Sequence, residues 1–149
     1  IEGLHFAALL HDIGKISLPS EYLAKPAQLS QQERAIIKCH TEVGYEILKN
    51  IHFPWPVADI VYQHHEHLDG TGYPRGLTDE KILLEAKILT VSDVVEAMSS
   101  HRPYRPSLGL ETALEEIRNG RGTLYHAASV DACLRLIEEK KVDLSAAVW

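Results

Sequence analysis

Apolar residues recur three and four positions apart through most of this chain, and strict alternation never lasts long enough to build a sheet. Residues 2–11, rich in Leu, Ala and Phe, predict a short helix ending near Asp12-Ile13-Gly14. Residues 17–27 hold Pro19 and Pro26 and read as loop. Ser30-Gln31-Gln32-Glu33 has the form of a capping box, in which Ser30 caps the amide three residues on and Glu33 reaches back. The helix it opens carries Ile36, Ile37, His40, Val43, Gly44, Ile47 and Leu48 at close to a 3.6 period, which puts His40 in its middle. Pro56 can open the next helix, because the amide it lacks is unneeded there. Val57, Ile60, Val61 and His64 then share one face.

Residues 68–78 are dense in Gly, Pro and Asp and predict a loop. Residues 80–99 give the strongest helix. Apolar side chains cover most of its circumference, from Ile82 to Met98, so it should be central and largely buried. A loop over 101–106 leads to a helix over 108–119 stopped by Gly120. Val130, Cys133, Leu134 and Ile137 mark a last amphipathic helix. The expected fold class is all-α, a helical bundle in one domain over residues 1–149.

Composition narrows the picture. The chain has 149 residues, 45% hydrophobic and 24% charged, which is ordinary for a folded domain and excludes wholesale disorder. Its net charge of −6 argues against a nucleic-acid polymer as partner. Two cysteines, Cys39 and Cys133, make no disulfide framework, so a reducing compartment is expected. No apolar run is long enough to cross a bilayer, so direct membrane insertion is not expected. The start, without Met, suggests a fragment of something longer.

The unusual count is nine histidines. His11 and Asp12 end the first helix, His40 lies in another, His64 and His65 close a third, and Asp93 interrupts the apolar central helix. Imidazoles and carboxylates from four elements suit divalent metals, and a carboxylate can bridge two ions. A pair of ions can clamp the attacking and leaving oxygens of a phosphoryl transfer. Lys15, four residues past His11, could neutralise a phosphate oxygen as charge develops. Each signal also has an ordinary reading. His11-Asp12 can be a plain helix end, His64-His65-Glu66-His67 a solvated one, Asp93 part of a polar stripe with Glu96 and Ser100, and Lys15 simply exposed. His5 should pack beside Leu9, His52 and His101 should be exposed, and Trp55 should serve packing.

Leu9-Leu10-His11-Asp12-Ile13-Gly14-Lys15, His40, His64-His65-Glu66, Asp69-Gly70-Thr71-Gly72-Tyr73-Pro74, Gly76-Leu77, Asp93 and Ser100-His101-Arg102-Pro103-Tyr104 occur in this order over most of the chain. Together they resemble an HD-GYP domain, a subgroup of the HD phosphohydrolase superfamily. The resemblance implies an all-helical HD-domain bundle, a cytoplasmic location and a two- or three-metal centre of iron or manganese that hydrolyses cyclic di-GMP to the linear dinucleotide, in some members on to GMP. It implies that His11, Asp12 and Asp93 serve a first ion and Asp12, His40, His64 and His65 a second, with Asp12 bridging. Lys15 would contact the scissile phosphate and Arg102 would help hold the substrate. Gly72, Tyr73 and Pro74 would form a loop for partner contacts, such as a diguanylate cyclase, rather than for the metals. A homodimer and a fused sensor or receiver domain are further implied partners.

The sequence departs from the family pattern in places. The His expected on a helix about twenty residues before His11-Asp12 is missing, so the domain is expected to lack an upstream helix and to fill its first metal site incompletely. Leu124-Tyr125-His126 replaces a Phe-Asp-Pro, which could alter the wall of the substrate pocket, and Glu96 stands where Asp is common. These departures keep a degenerate regulatory or interaction module open; another HD-type nucleotide phosphohydrolase is a further alternative, against which the Gly-Tyr-Pro loop argues by resemblance.

Overall fold

A computed structural model describes residues 1–25, 27–100 and 107–139. The described chain is helical: α1 (Glu2–Leu10), a 3₁₀ turn (Ile13–Ser17), α2 (Ser20–Leu23), α3 (Gln31–Lys38), α4 (His40–Leu48), α5 (Val57–Gln63), a second 3₁₀ turn (Asp79–Lys81), α6 (Leu84–Ser99), α7 (Leu110–Asn119) and α8 (Ala127–Glu138). Two isolated bridges, Asp69 with Thr78 and Arg121 with Tyr125, are the extent of β pairing among the described residues.

The expected helix after Ser30 begins with its capping box: Ser30 Oγ accepts from the Glu33 amide, and the Glu33 carboxylate accepts from the Ser30 amide. It does not run unbroken to Leu48, however. It breaks at Cys39, so His40 opens α4 instead of lying mid-helix. The cause is local: His40 Nδ1 takes the Ile37 carbonyl and Thr41 Oγ1 the Lys38 carbonyl, side-chain bonds that compete with the backbone ladder. Ile36 and Ile47, counted on the apolar face, are 39% and 41% exposed. The loop expected over 17–27 contains the short helix α2, and the central helix starts at Leu84, four residues later than expected, after the extended pair Ile82 and Leu83.

Two cores meet along α6. One gathers Ala7, Leu48, Val57, Ile60, Val61, Ile82, Ala86 and Leu89 from α1, α4, α5, the extended segment before α6 and the first half of α6. The other joins Val91 and Val95 to Ala113, Leu114, Ile117, Tyr125 and Val130. Each fully buried Ile, Leu or Val contributes roughly 1.5–3 kcal/mol. Tyr125 lies within the second core, its hydroxyl donating to Glu116, and His126 is the N-cap residue of α8. Leu124 and Tyr125 of the changed segment thus pack with the second core. His5 is exposed with its ring 6.3 Å from that of Phe6, and Leu9 is 66% exposed, so neither lies in the core.

Gly14 sets how closely the turn after α1 approaches α4. A Cβ there would stand 2.0 Å from the His40 carbonyl oxygen and 2.6 Å from the Gly44 amide. Only glycine lets the two backbones meet, and this contact brings Asp12 and Lys15 to the start of α4. At the far end of α5, Gln63 Oε1 accepts from the Leu83 amide, and Thr90 Oγ1 lies 2.8 Å from both the His64 and Ala86 carbonyls. Those buried bonds dock α6 against α5 and aim the Asp93 turn at the same place.

Candidate metal centre

Three histidines share one device. His11 is the C-cap of α1, His40 follows the end of α3, and His64 is the C-cap of α5. In each, Nδ1 donates to the carbonyl three residues back: Ala8 at 2.7 Å, Ile37 at 2.8 Å and Val61 at 2.6 Å. A helix end leaves such carbonyls free, and the bond fixes both the ring and its tautomer. In the neutral ring the lone pair is then on Nε2, the state in which burial holds His40 and His64. For His40 and His64 these Nε2 atoms approach to 3.5 Å.

The carboxylates lie between the rings. Asp12 turns Oδ2 toward His11 Nε2 and Oδ1 toward His40 Nε2, both at 3.5 Å. Asp93 turns Oδ1 toward His11 Nε2 at 3.6 Å and Oδ2 toward His65 Nδ1 at 3.8 Å. One ligand atom each from His40, His64 and His65 lie within 4.8 Å of one another, and so do those of His11, Asp12 and His64. His64 faces both groups, and Asp93 spans from one to the other, whereas the resemblance implies one ion for each. Lys15 Nζ is 2.5 Å from Asp12 Oδ2.

Burial sets the charge state. It pushes the His40 imidazole down, the His64 imidazole down to about 4 and, with His64 beside it, His65 down to about 2. All three are neutral at pH 7, the form that ligates metal. Burial also pulls on His11, but the Asp93 carboxylate facing its Nε2 at 3.6 Å and the charge of Asp12 outweigh it and leave that imidazole raised. Burial works against the Asp93 anion, yet His11 and its neighbours hold its carboxyl well below the usual range.

The 68–78 loop does not stand apart from this cluster. The Tyr73 ring stacks on His65 with centroids 4.7 Å apart, and its amide donates to the His65 carbonyl. Tyr73 of the Gly72-Tyr73-Pro74 loop therefore lies against the histidine cluster. Sequence reasoning gave Glu66 no role, and the solvated-end reading of 64–67 fails: His64 is fully buried and Glu66 is 2% exposed. The Glu66 carboxylate accepts from the Arg75 and Leu77 amides. The signal was a carboxylate next to a Gly-Pro loop with several free amides to satisfy. Lys38, to which the sequence pattern assigns no role, puts Nζ 4.6 Å from the Tyr73 ring centre. Arg102, expected at the substrate, lies outside the described residues, as does His101.

Residues 2–129 match the family described as HD domain. A cyclic di-GMP phosphodiesterase of Thermotoga maritima is 44% identical over 93% of this chain and 38% of its own length. A 3'3'-cGAMP-specific phosphodiesterase of Vibrio cholerae is 40% identical over 74% of this chain and 24% of its own. The chain therefore spans well under half the length of these relatives. Among solved structures, Bd1817, an HDG"Y"P protein from Bdellovibrio bacteriovorus, superposes with a TM-score of 0.73 at 20% identity over 92% of this chain and 44% of that one. No helix among the described residues is long and apolar enough to cross a membrane.

Proposed function

Because this chain belongs to the HD domain family, we propose that it is the catalytic part of a metal-dependent phosphodiesterase that opens cyclic di-GMP to the linear dinucleotide. The observation that carries this reading is Asp12, whose two oxygens face imidazoles from two different groups, His11 and His40. The donor set suits divalent ions of the iron or manganese kind, since His40 and His64, tied through Nδ1 and neutral by burial, present Nε2 to a cluster that also holds the Asp12 and Asp93 carboxylates. In this reading His11, Asp12 and Asp93 hold one ion, and Asp12, His40, His64 and His65 a second. When bound, such ions polarise phosphoryl oxygens and acidify water.

The chain's own residues do the rest. The carbonyl bonds at Ala8, Ile37 and Val61 hold three rings in place before any ligand arrives. Lys15 starts from Asp12 and swings its ammonium to a phosphate oxygen, where it offsets the charge gained as the bond to phosphorus forms. Arg102 is assigned to holding the substrate. The reading implies a cytoplasmic protein in second-messenger signalling. A homodimer, a fused sensor or receiver domain, and a diguanylate cyclase docked at Gly72–Pro74 are its partner proposals.

The test is to incubate Mn²⁺- or Fe²⁺-loaded protein with cyclic di-GMP, and in parallel with cyclic GMP-AMP, and to separate the products by chromatography. The expected result is linear dinucleotide from cyclic di-GMP, stopped by a chelator. Faster cleavage of cyclic GMP-AMP would move the substrate assignment to the mixed dinucleotide. Metal binding with cleavage of neither would replace the enzyme with a regulatory module.

A further inference from the structure

His65 is held unlike the other three rings. Its Nδ1 lies 3.8 Å from Asp93 Oδ2, beyond hydrogen-bond reach, and no hydrogen bond to its ring occurs among the described residues. What bounds it is aromatic: the His64 ring at 4.0 Å, the His40 ring edge-on at 5.2 Å, and the Tyr73 ring at 4.7 Å with an interplanar angle of 25°. His64 and His40 have their own carbonyl anchors. Tyr73 is the neighbour that belongs to a loop.

That loop is fastened on both sides of Tyr73. On one side Gly72 presses on the preceding backbone so closely that a Cβ would stand 2.3 Å from the His67 amide and 2.5 Å from the Glu66 Cα. On the other, the Arg75 and Leu77 amides donate at 2.8 Å to the buried Glu66 carboxylate. In the middle, the Tyr73 amide donates to the His65 carbonyl at 3.1 Å. The ring is thus placed by backbone contacts of buried residues and not by the freedom of a surface side chain.

We infer that Tyr73 is a positioning residue: its ring, set by the Glu66-fastened loop, holds the His65 imidazole in the orientation that the other three histidines take from backbone carbonyls. The inference rests on the reading of the cluster as a metal centre. A ring already fixed loses little freedom when it ligates, so removing the stack should show first as weaker metal binding.

Three proteins decide it: wild type, Tyr73→Leu and Tyr73→Phe, each titrated with Mn²⁺ by calorimetry and each compared metal-free by ¹⁵N-histidine NMR. Tyr73→Leu should weaken one bound Mn²⁺ about tenfold and leave His65 with averaged or doubled ring signals. Tyr73→Phe, which keeps the stack, should restore both readings. Wild-type Mn²⁺ affinity and a single His65 state in Tyr73→Leu would overturn the inference. So would equal losses in Tyr73→Phe, or a lowered melting temperature with every Mn²⁺ site weakened alike. If wild type itself takes up no Mn²⁺, the metal reading falls, and the metal-free His65 signals still decide whether Tyr73 orients that ring.

Discussion

Around the first half of α6, His40, Thr41, Gln63, His64, Glu66 and Thr90 are buried among Ala7, Leu48, Ile60 and Leu89. Around its second half Val95, Ala113, Leu114, Ile117 and Val130 close on one another, and the one hydroxyl among them, on Tyr125, donates to Glu116. Both halves are helices packed on a shared helix, yet they manage buried polarity in opposite ways. The first carries six buried polar or charged side chains because each has a partner that fixes a backbone end or a ring. The second has almost nothing to satisfy and owes its stability to close packing. A protein that must hold several ligands in place needs both: a half that tolerates polar groups in its core, and a half that compensates for their cost.

The sharpest break of this comparison is Asp12→Ala. Asp12 is the carboxylate whose two oxygens reach different imidazoles, and its side chain is 38% exposed. Its loss should lower cyclic di-GMP turnover by roughly three orders of magnitude or more, with little change in melting temperature. Product formation and bound metal should be measured together. Normal turnover in the metal-loaded variant would refute the bridging role. The opposite pattern is expected of Ile117→Ala in the second half. Ile117 is fully buried, and its truncation should cost about 2–5 kcal/mol, a melting shift on the order of 10 °C, while the folded fraction keeps its turnover. Lost activity at unchanged stability would mean that the second core also shapes the site.

The two halves were not equally legible in the sequence. The second half is written in periodicity: Ala113, Leu114 and Ile117 share one face of α7, Val130 starts the apolar stripe of α8, and Gly120 stops α7 where expected. The first half was legible in residue types and not in their arrangement. His11, His40 and His64 could be singled out as chemistry out of place on apolar faces, but a 3.6 period cannot show that each sits at a helix end with its Nδ1 on a carbonyl. That is why the helix through Cys39 was read as continuous: Ile36, Ile37, Val43 and Leu48 keep the period across a break made by the His40 and Thr41 side chains. Glu66 is hard to place for a related reason: the Gly- and Pro-rich loop after it signals amides to satisfy, but not that the ones it takes lie nine and eleven residues on.

Lys15→Ala separates chemistry from assembly inside the first half. Its ammonium touches Asp12 Oδ2 and none of the imidazoles, so bound metal per chain should stay near the wild-type value. Turnover should fall about a hundredfold, close to 3 kcal/mol, the usual loss when one preorganised charge is removed from a developing phosphoryl oxyanion. Metal loss parallel to the activity loss would move Lys15 from the substrate to the support of Asp12.

The smallest expected effect is a difference in acid sensitivity between the halves, measured on metal-free protein in a chelator. Burial depresses the folded-state pKa of His40, His64 and His65 below the ordinary value of 6.5, to about 4 for His64. A depressed imidazole binds fewer protons folded than unfolded between those two values. Its contribution to stability is therefore complete above pH 6.5 and is lost as pH falls toward 4. For His64 the loss by pH 5 is about 2 kcal/mol. His11 opposes it, because the nearby Asp93 and Asp12 carboxylates outweigh burial and raise its pKa, giving stability that is present at low pH and lost as pH rises through the raised value. Asp93, depressed, keeps its contribution down to pH 4 and loses it only below. Three depressed imidazoles against one raised should leave a melting temperature that falls steadily from pH 7 to pH 5. Ile117→Ala should lower that whole curve without changing its slope, because its site lies in the other core and holds no imidazole. His64→Gln should flatten it. A wild-type curve that stays level over this range would show that the first core does not hold its imidazoles neutral. A changed slope in Ile117→Ala would show that the two cores are coupled through α6.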